Sequence, residues 1–317
     1  MRKRESVPKL WHGQLPPRSP TVLFVPGGAF VTDFEAADLC FLYGWVRRAG
    51  ATLVYVTYDF APEAQFPTSM MQVCAAAAHL LTGRVCPPCH LVTSVCPPRN
   101  RQVATVYRAL REGSHARTLG FRASPLVVAG LSAGGNLAIS ALIAPLLPPP
   151  RMPEGQPPLD SPPWCGMPDG LLLICPVLNL CRSASPSRVA FASDVLLPQP
   201  LLVAFGAAYG AKELREMADP AVSPALAPDD VLRRLPATCI QVGGFDPLLD
   251  DSVDFNTRIR RLGVAGELRI HRSLTHTFPS FPHLHVIPEV AEALDTTLEW
   301  IAGLFRRGER AKRAEPA

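Results

Sequence analysis

The stretch PLVVAGLSAGGNLAIS, Pro125–Ser140, decides the fold. It opens as a short apolar run rich in valine, which reads as a buried strand, and closes as a helix-like run. Ser132 stands where one becomes the other, inside Gly130-Leu131-Ser132-Ala133-Gly134. A serine on such a turn is forced into unusual backbone angles, and its hydroxyl projects over the sheet edge. The flanking glycines let helix and strand approach closely. The helix N-terminus behind the serine favours developing negative charge. A tight turn with no chemistry would use the same residue types, so the rest of the chain has to supply the partners.

Outward from this stretch the chain alternates. Strand-like runs lie at Thr21–Val25, Ala51–Tyr58, Pro125–Leu131, Gly170–Cys175, Ala237–Gly243 and Gly266–His271. Most are continuous apolar runs, as expected for strands covered on both faces. Helix-like stretches lie between and after them at Glu35–Arg48, Pro67–Leu81, Gly134–Leu146, Ser252–Leu262 and Pro288–Phe305. Such alternation predicts an α/β fold, a mostly parallel sheet flanked by helices. Leu147–Pro168 is proline-rich and reads as a surface loop, and residues 177–235 read as part of a lid inserted between core strands. Residues 84–104 are rich in Cys, Pro and Arg and read as an irregular insertion. Cys86, Cys89, His90 and Cys96 within it have irregular spacing and no second ligand pair, so no metal site is assigned.

Composition bounds the function. The chain has 317 residues, is 48% hydrophobic and carries a net charge of +4. Residues 1–5 contribute +2 and residues 306–317 contribute +3, leaving −1 for the body. Residues 1–20 and 306–317 therefore read as solvated tails on a near-neutral domain spanning 21–305, with no electrostatic footprint for nucleic acid. No run approaches the roughly 18 apolar residues of a membrane span. The basic N-terminus is not followed by an apolar segment, so it does not read as a secretory signal. Nine cysteines without such a signal read as reduced thiols, and the expected location is cytoplasmic.

A nucleophilic serine needs a base, an acid to orient that base, and donors for an oxyanion. Downstream, QVGGFDPLLDD puts Asp246 just past a strand end, where a carboxylate faces the serine, although an Asp there also serves as a helix cap. HRSLTHTFPSF then puts His276 in the loop after the next strand. The order Ser, acid, His is that of α/β-hydrolases.

Further motifs carry a specific resemblance. VPGGAF (Val25–Phe30) resembles a His-Gly-Gly-Gly oxyanion loop, and YDFAPEAQFP (Tyr58–Pro67) resembles a Tyr-x-Leu-Ala-Pro-Glu-x-x-Phe-Pro stretch. GLSAGGNLA (Gly130–Ala138), DPAVSP (Asp219–Pro224), DPLLDD (Asp246–Asp251) and HTF (His276–Phe278) follow in order. The chain thus resembles the hormone-sensitive-lipase-like, arylacetamide-deacetylase-like branch of the α/β-hydrolase serine esterases. The resemblance implies Ser132 as nucleophile, Asp246 as acid and His276 as base. It implies the backbone N–H groups of Gly28, Ala29 and Ala133 as oxyanion donors, and no cofactor. The substrate it implies is a small ester or amide; oligomeric state is not implied.

The chain departs from the family pattern in several places. Pro26 replaces the loop His, which removes positioning hydrogen bonds. Ala29 replaces a glycine, at a cost of roughly 1–2 kcal/mol if its φ is positive. Leu131 replaces an acidic neighbour of the nucleophile and is expected to point away from it. Only about twenty residues precede the first strand, so a smaller sheet, a reduced cap and a more open site are expected. The same fold also serves as a small-ligand receptor in this family, so a catalytically weak or inactive binding protein is the alternative function. Retention of Ser, Asp and His favours the esterase.

Overall fold

The computed structural model describes residues 18–32, 35–56, 58–65, 85–86, 91–94, 106–113, 116, 120–148, 164–182, 184–210, 214–281 and 286–314. Eight strands form one sheet: β1 (Arg18–Val25), β2 (Thr52–Val56), β3 (Val85–Cys86), β4 (Leu91–Ser94), β5 (Arg122–Leu131), β6 (Gly170–Ile174), β7 (Thr238–Gly243) and β8 (Gly266–His271). Their order across the sheet is β3-β4-β2-β1-β5-β6-β7-β8. Every pairing is parallel except that of β3 with β4.

Alternation of side chains across the strands explains why the core strands read as unbroken apolar runs. Leu23, Val25, Val128, Leu171 and Leu173 pack into a cluster on one face, together with Leu137 and Ile139 of α3 (Ala133–Ile143). Val22, Phe24, Val127, Ala129, Leu172 and Ile174 pack into the cluster on the other. There they meet Phe41 and Trp45 of α1 (Glu35–Ala49) and Ile301 and Leu304 of the last helix, Pro288–Ala314. A strand covered on both faces has no polar side to display. Leu131 belongs to this second cluster, away from the cluster that holds Ala133.

The remaining helices are α2 (Val106–Glu112), α4 (Pro186–Ala190), α5 (Gln199–Ala208), α6 (Leu214–Met217), α7 (Asp229–Leu232), α8 (Leu249–Arg261) and α9, the last helix named above. No helix among the described residues is long and apolar enough to cross a membrane.

Several boundaries differ from those expected from sequence. The first strand begins at Arg18 rather than after a 20-residue tail, because Arg18 and Ser19 pair with Arg122 and Ala123 of β5. The basic end at 306–317 is not a free tail: α9 runs on to Ala314. Its Arg, Glu, Ala and Lys residues are good helix formers, basic side chains suit a helix C-terminus, and Lys312 Nζ reaches Asp169 Oδ2 at 3.0 Å. The sheet is not small. Within residues 84–104, β4 pairs with β2 from Leu53↔Leu91 to Val56↔Ser94, and β3 folds back onto β4. Four residues, LVTS, are too short a run to stand out between prolines. The helix expected over 67–81 and the Cys89, His90 and Cys96 thiol and imidazole groups lie outside the described residues.

Candidate active site

Three loops at the C-terminal ends of β5, β7 and β8 converge above the sheet. Ser132 follows β5 with φ 54 and ψ −119, a strained conformation for a residue with a side chain. Neighbouring glycines make that turn possible. A Cβ on Gly130 would meet Gly134 O at 2.5 Å, and one on Gly134 would meet Val25 O at 2.1 Å. The loop after β1 therefore packs directly on the start of α3, which only glycine permits.

Ser132 Oγ lies 2.9 Å from His276 Nε2, and His276 Nδ1 lies 2.9 Å from Asp246 Oδ2. A carboxylate accepts, so Nδ1 carries the proton, and Nε2 of the neutral ring is left to accept from the serine hydroxyl. All three groups are buried, with Ser132 6%, His276 4% and Asp246 0% exposed. Asp246 Oδ1 also accepts from Leu248 N at 2.8 Å, so the same side chain shapes the turn into α8 and orients the histidine. Asp250 and Asp251 face elsewhere. Asp250 Oδ2 accepts from Ser187 N, and Asp251 is paired with Arg188.

Gly28, Ala29 and Phe30 form a turn with positive φ at all three positions: 119, 54 and 67. The strain foreseen at Ala29 is present, and Phe30 adds a second non-glycine residue in the left-handed region. The turn is held from several sides. Ala61 N donates to Phe30 O at 2.8 Å, and the Phe30 ring stacks on Tyr209 with centroids 4.0 Å apart. Tyr58 Oη donates to Pro26 O at 3.2 Å and faces Gly27 O at 3.5 Å. Tyr58 thus anchors a loop that has proline where the family has histidine. Tyr58→Phe is expected to lower kcat about 2- to 10-fold with little change in KM, the size of one net hydrogen bond. Unchanged kcat in steady-state kinetics would remove Tyr58 from this role.

An apolar cavity opens beside Ser132, lined by Ala29, Phe30, Val177, Leu180, Leu197, Leu202, Phe205, Gly206 and Leu248. Five of these come from residues 180–206, so the segment between β6 and β7, read from sequence as part of a lid, forms one wall. It contains α4 to α7, more helix than its prolines suggested. It is held down by Asn136 of α3, whose Nδ2 donates to Val177 O at 2.9 Å and to Val222 O at 2.8 Å. Ser132 and His276 are buried, where a more open site was expected. Sequence reading gave no role to Asn136 or Tyr58, although both lie in the quoted motifs.

Among the described residues, Cys175, Asp246 and His276 are grouped closely enough for metal ligation. Two ligands on a zinc ion at about 2.0–2.1 Å each would sit roughly 3.3 Å apart. The 2.9 Å between Asp246 and His276 is hydrogen-bond length instead.

Residues 22–280 match the family described as alpha/beta hydrolase fold. The chain belongs to this family, in its hormone-sensitive-lipase-like branch. It is 24% identical over 283 residues to an esterase of Acinetobacter venetianus, covering 89% of this chain and 75% of that one. It is 26% identical over 206 residues to mouse hormone-sensitive lipase, covering 65% of this chain and 21% of the lipase. The chain therefore spans only about a fifth of that larger relative. Carboxyl esterase 2 of the fungus Tuber melanosporum has the same fold, with a TM-score of 0.70 at 20% identity, covering 90% of this chain and 79% of the other.

Proposed function

We propose that this hydrolase-family chain is a serine carboxylesterase acting on short- or medium-acyl esters, or on aryl amides, through an acyl-enzyme on Ser132. The observation that carries this reading is the continuous hydrogen-bonded line from Ser132 Oγ through His276 to Asp246, opening on an apolar cavity. In this reading His276 Nε2 takes the hydroxyl proton as Ser132 Oγ attacks the ester carbonyl. Asp246 holds the ring tautomer and stabilises the imidazolium that forms. The tetrahedral oxyanion is received by the N–H groups of Gly28, Ala29 and Ala133, and the N-terminal end of α3 adds its dipole. Removing one such donor would cost about 3–4 kcal/mol of transition-state stabilisation. His276 then protonates the leaving group, and water attacks the acyl-enzyme by the reverse route.

The cavity supports a limit on substrate size. Its walls are almost wholly apolar, and Leu180, Leu197, Leu202, Phe205 and Leu248 close around it beside Ser132. Among p-nitrophenyl esters, acetate and butyrate are expected to turn over at least about tenfold faster than palmitate, each methylene beyond the wall meeting packed side chains. A fluorophosphonate probe is expected to label Ser132, mapped by peptide mass spectrometry. Folded protein that neither hydrolyses the short esters nor labels would support the ligand-binding alternative instead.

A further inference from the structure

Cys175 immediately follows β6 and is 0% exposed, with φ 46. Its N–H donates to Gln241 O of β7 at 2.8 Å, which fixes where the side chain starts. From there the thiol reaches the back of the Asp246–His276 pair. Its Sγ, a carboxylate oxygen of Asp246 and a ring nitrogen of His276 lie within 4.8 Å of one another. Burial first, and the neighbouring charge of Asp246 second, hold the thiol well above its usual pKa, so it carries a proton to donate at neutral pH.

Asp246 is a buried carboxylate, and its needs are countable. Oδ1 accepts from Leu248 N, and Oδ2 accepts from His276 Nδ1. A carboxylate has about four acceptor sites, so these two bonds leave capacity unused in a place that water does not reach. We infer that the Cys175 thiol fills part of that capacity, donating to Asp246 and holding its carboxylate in the orientation that accepts the His276 proton. Cys175 is thus a positioning residue that acts through Asp246 and does not touch substrate. This assignment rests on the esterase reading of Ser132, His276 and Asp246.

A buried cysteine that only fills space behaves as a small hydrophobe, and that role makes a different prediction. Serine is smaller than cysteine and polar, so it serves packing poorly but replaces the donor. With p-nitrophenyl acetate, Cys175→Ala is expected to lower kcat about five- to tenfold, the range for losing one weak donor to a charged acceptor, with KM within twofold. Cys175→Ser is expected to stay within twofold of the parent. Cys175→Gly, free of steric strain at this φ, repeats the comparison if the alanine variant folds poorly. In an Asp246→Asn background, Cys175→Ala is expected to cost nothing further. Equal losses in the serine and alanine variants, an unchanged kcat in Cys175→Ala, or a full additional loss beside Asp246→Asn would each overturn the assignment. Fluorophosphonate labelling of the parent separates the two levels. A parent that labels while Cys175→Ala labels equally fast removes only the cysteine's role, whereas a folded parent that does not label removes the esterase reading and this one with it.

Discussion

Ser132→Ala is expected to lower kcat/KM for short esters by at least about 10⁴-fold and to abolish fluorophosphonate labelling. His276→Ala should do nearly the same, because an unassisted serine hydroxyl is a weak nucleophile at neutral pH. The informative variant is the double one. Ser132 Oγ and His276 Nε2 are 2.9 Å apart and act on one proton, so removing both should cost no more than removing the serine alone. A small residual rate should survive in all three variants, since the N–H groups of Gly28, Ala29 and Ala133 are unaffected. Purified protein, steady-state kinetics and an active-site titration of the parent suffice for the measurement. A Ser132→Ala variant that keeps more than a few per cent of parental activity would move the chemistry to another residue.

Arg188→Ala is expected to destabilise the fold by about 3–5 kcal/mol, the range for stranding one member of a buried ion pair. The side chains of Arg188 and Asp251 are 4% and 0% exposed, with Nη2 to Oδ2 at 3.1 Å. Asp251 Oδ2 also accepts from Leu178 N and Asn179 N, each at 3.0 Å, while the guanidinium donates to Asn179 O and Arg182 O. The pair therefore pins the start of the lid segment to α8, just beyond Asp246. Without the guanidinium, the buried carboxylate keeps two backbone donors and only the more distant Arg182, at 4.0 Å. Urea denaturation should show the loss as a lower midpoint with an unchanged slope. The combined Arg188→Ala and Asp251→Ala variant should be more stable than the sum of the two single losses allows, since neither charge is then stranded. Strict additivity would mean that the two side chains are not coupled.

The parts legible in the sequence are those encoded locally. The serine elbow announces itself because a strand period, a Gly-x-Ser-x-Gly turn and a helix period are contiguous at Pro125–Ser140. Asp246 and His276 are readable because each lies a few residues past a strand, the buried β7 and the more polar β8, and parallel strands deliver their C-terminal ends to one edge. What could not be read depends on partners distant in the chain. Arg188 and Asp251 are 63 residues apart, and neither lies in a pattern that suggests a buried charge. Tyr58 reaches Pro26 O across 32 residues. Cys175 looks like the last apolar residue of a strand, and only the packing of β7 and the His276 loop brings its sulfur beside a carboxylate. Strands β3 and β4, at one end of the sheet, are too short for periodicity to register. At the C-terminus charge misled: a basic run looks like a solvated tail whether or not it is helical, and the contact with Asp169 lies 143 residues away.

The cavity wall and the bond-breaking groups are drawn from different parts of the chain. Leu180, Leu197, Leu202, Phe205 and Gly206 lie in one continuous segment between β6 and β7, whereas Ser132, Asp246 and His276 sit on the ends of sheet strands. The sheet's registers do not involve residues 180–206, so substitutions there leave strand pairing untouched. Selection, or a directed-evolution library confined to those five wall positions and sparing Arg188, can therefore retune which ester is accepted while the machinery for cleaving it is inherited unchanged.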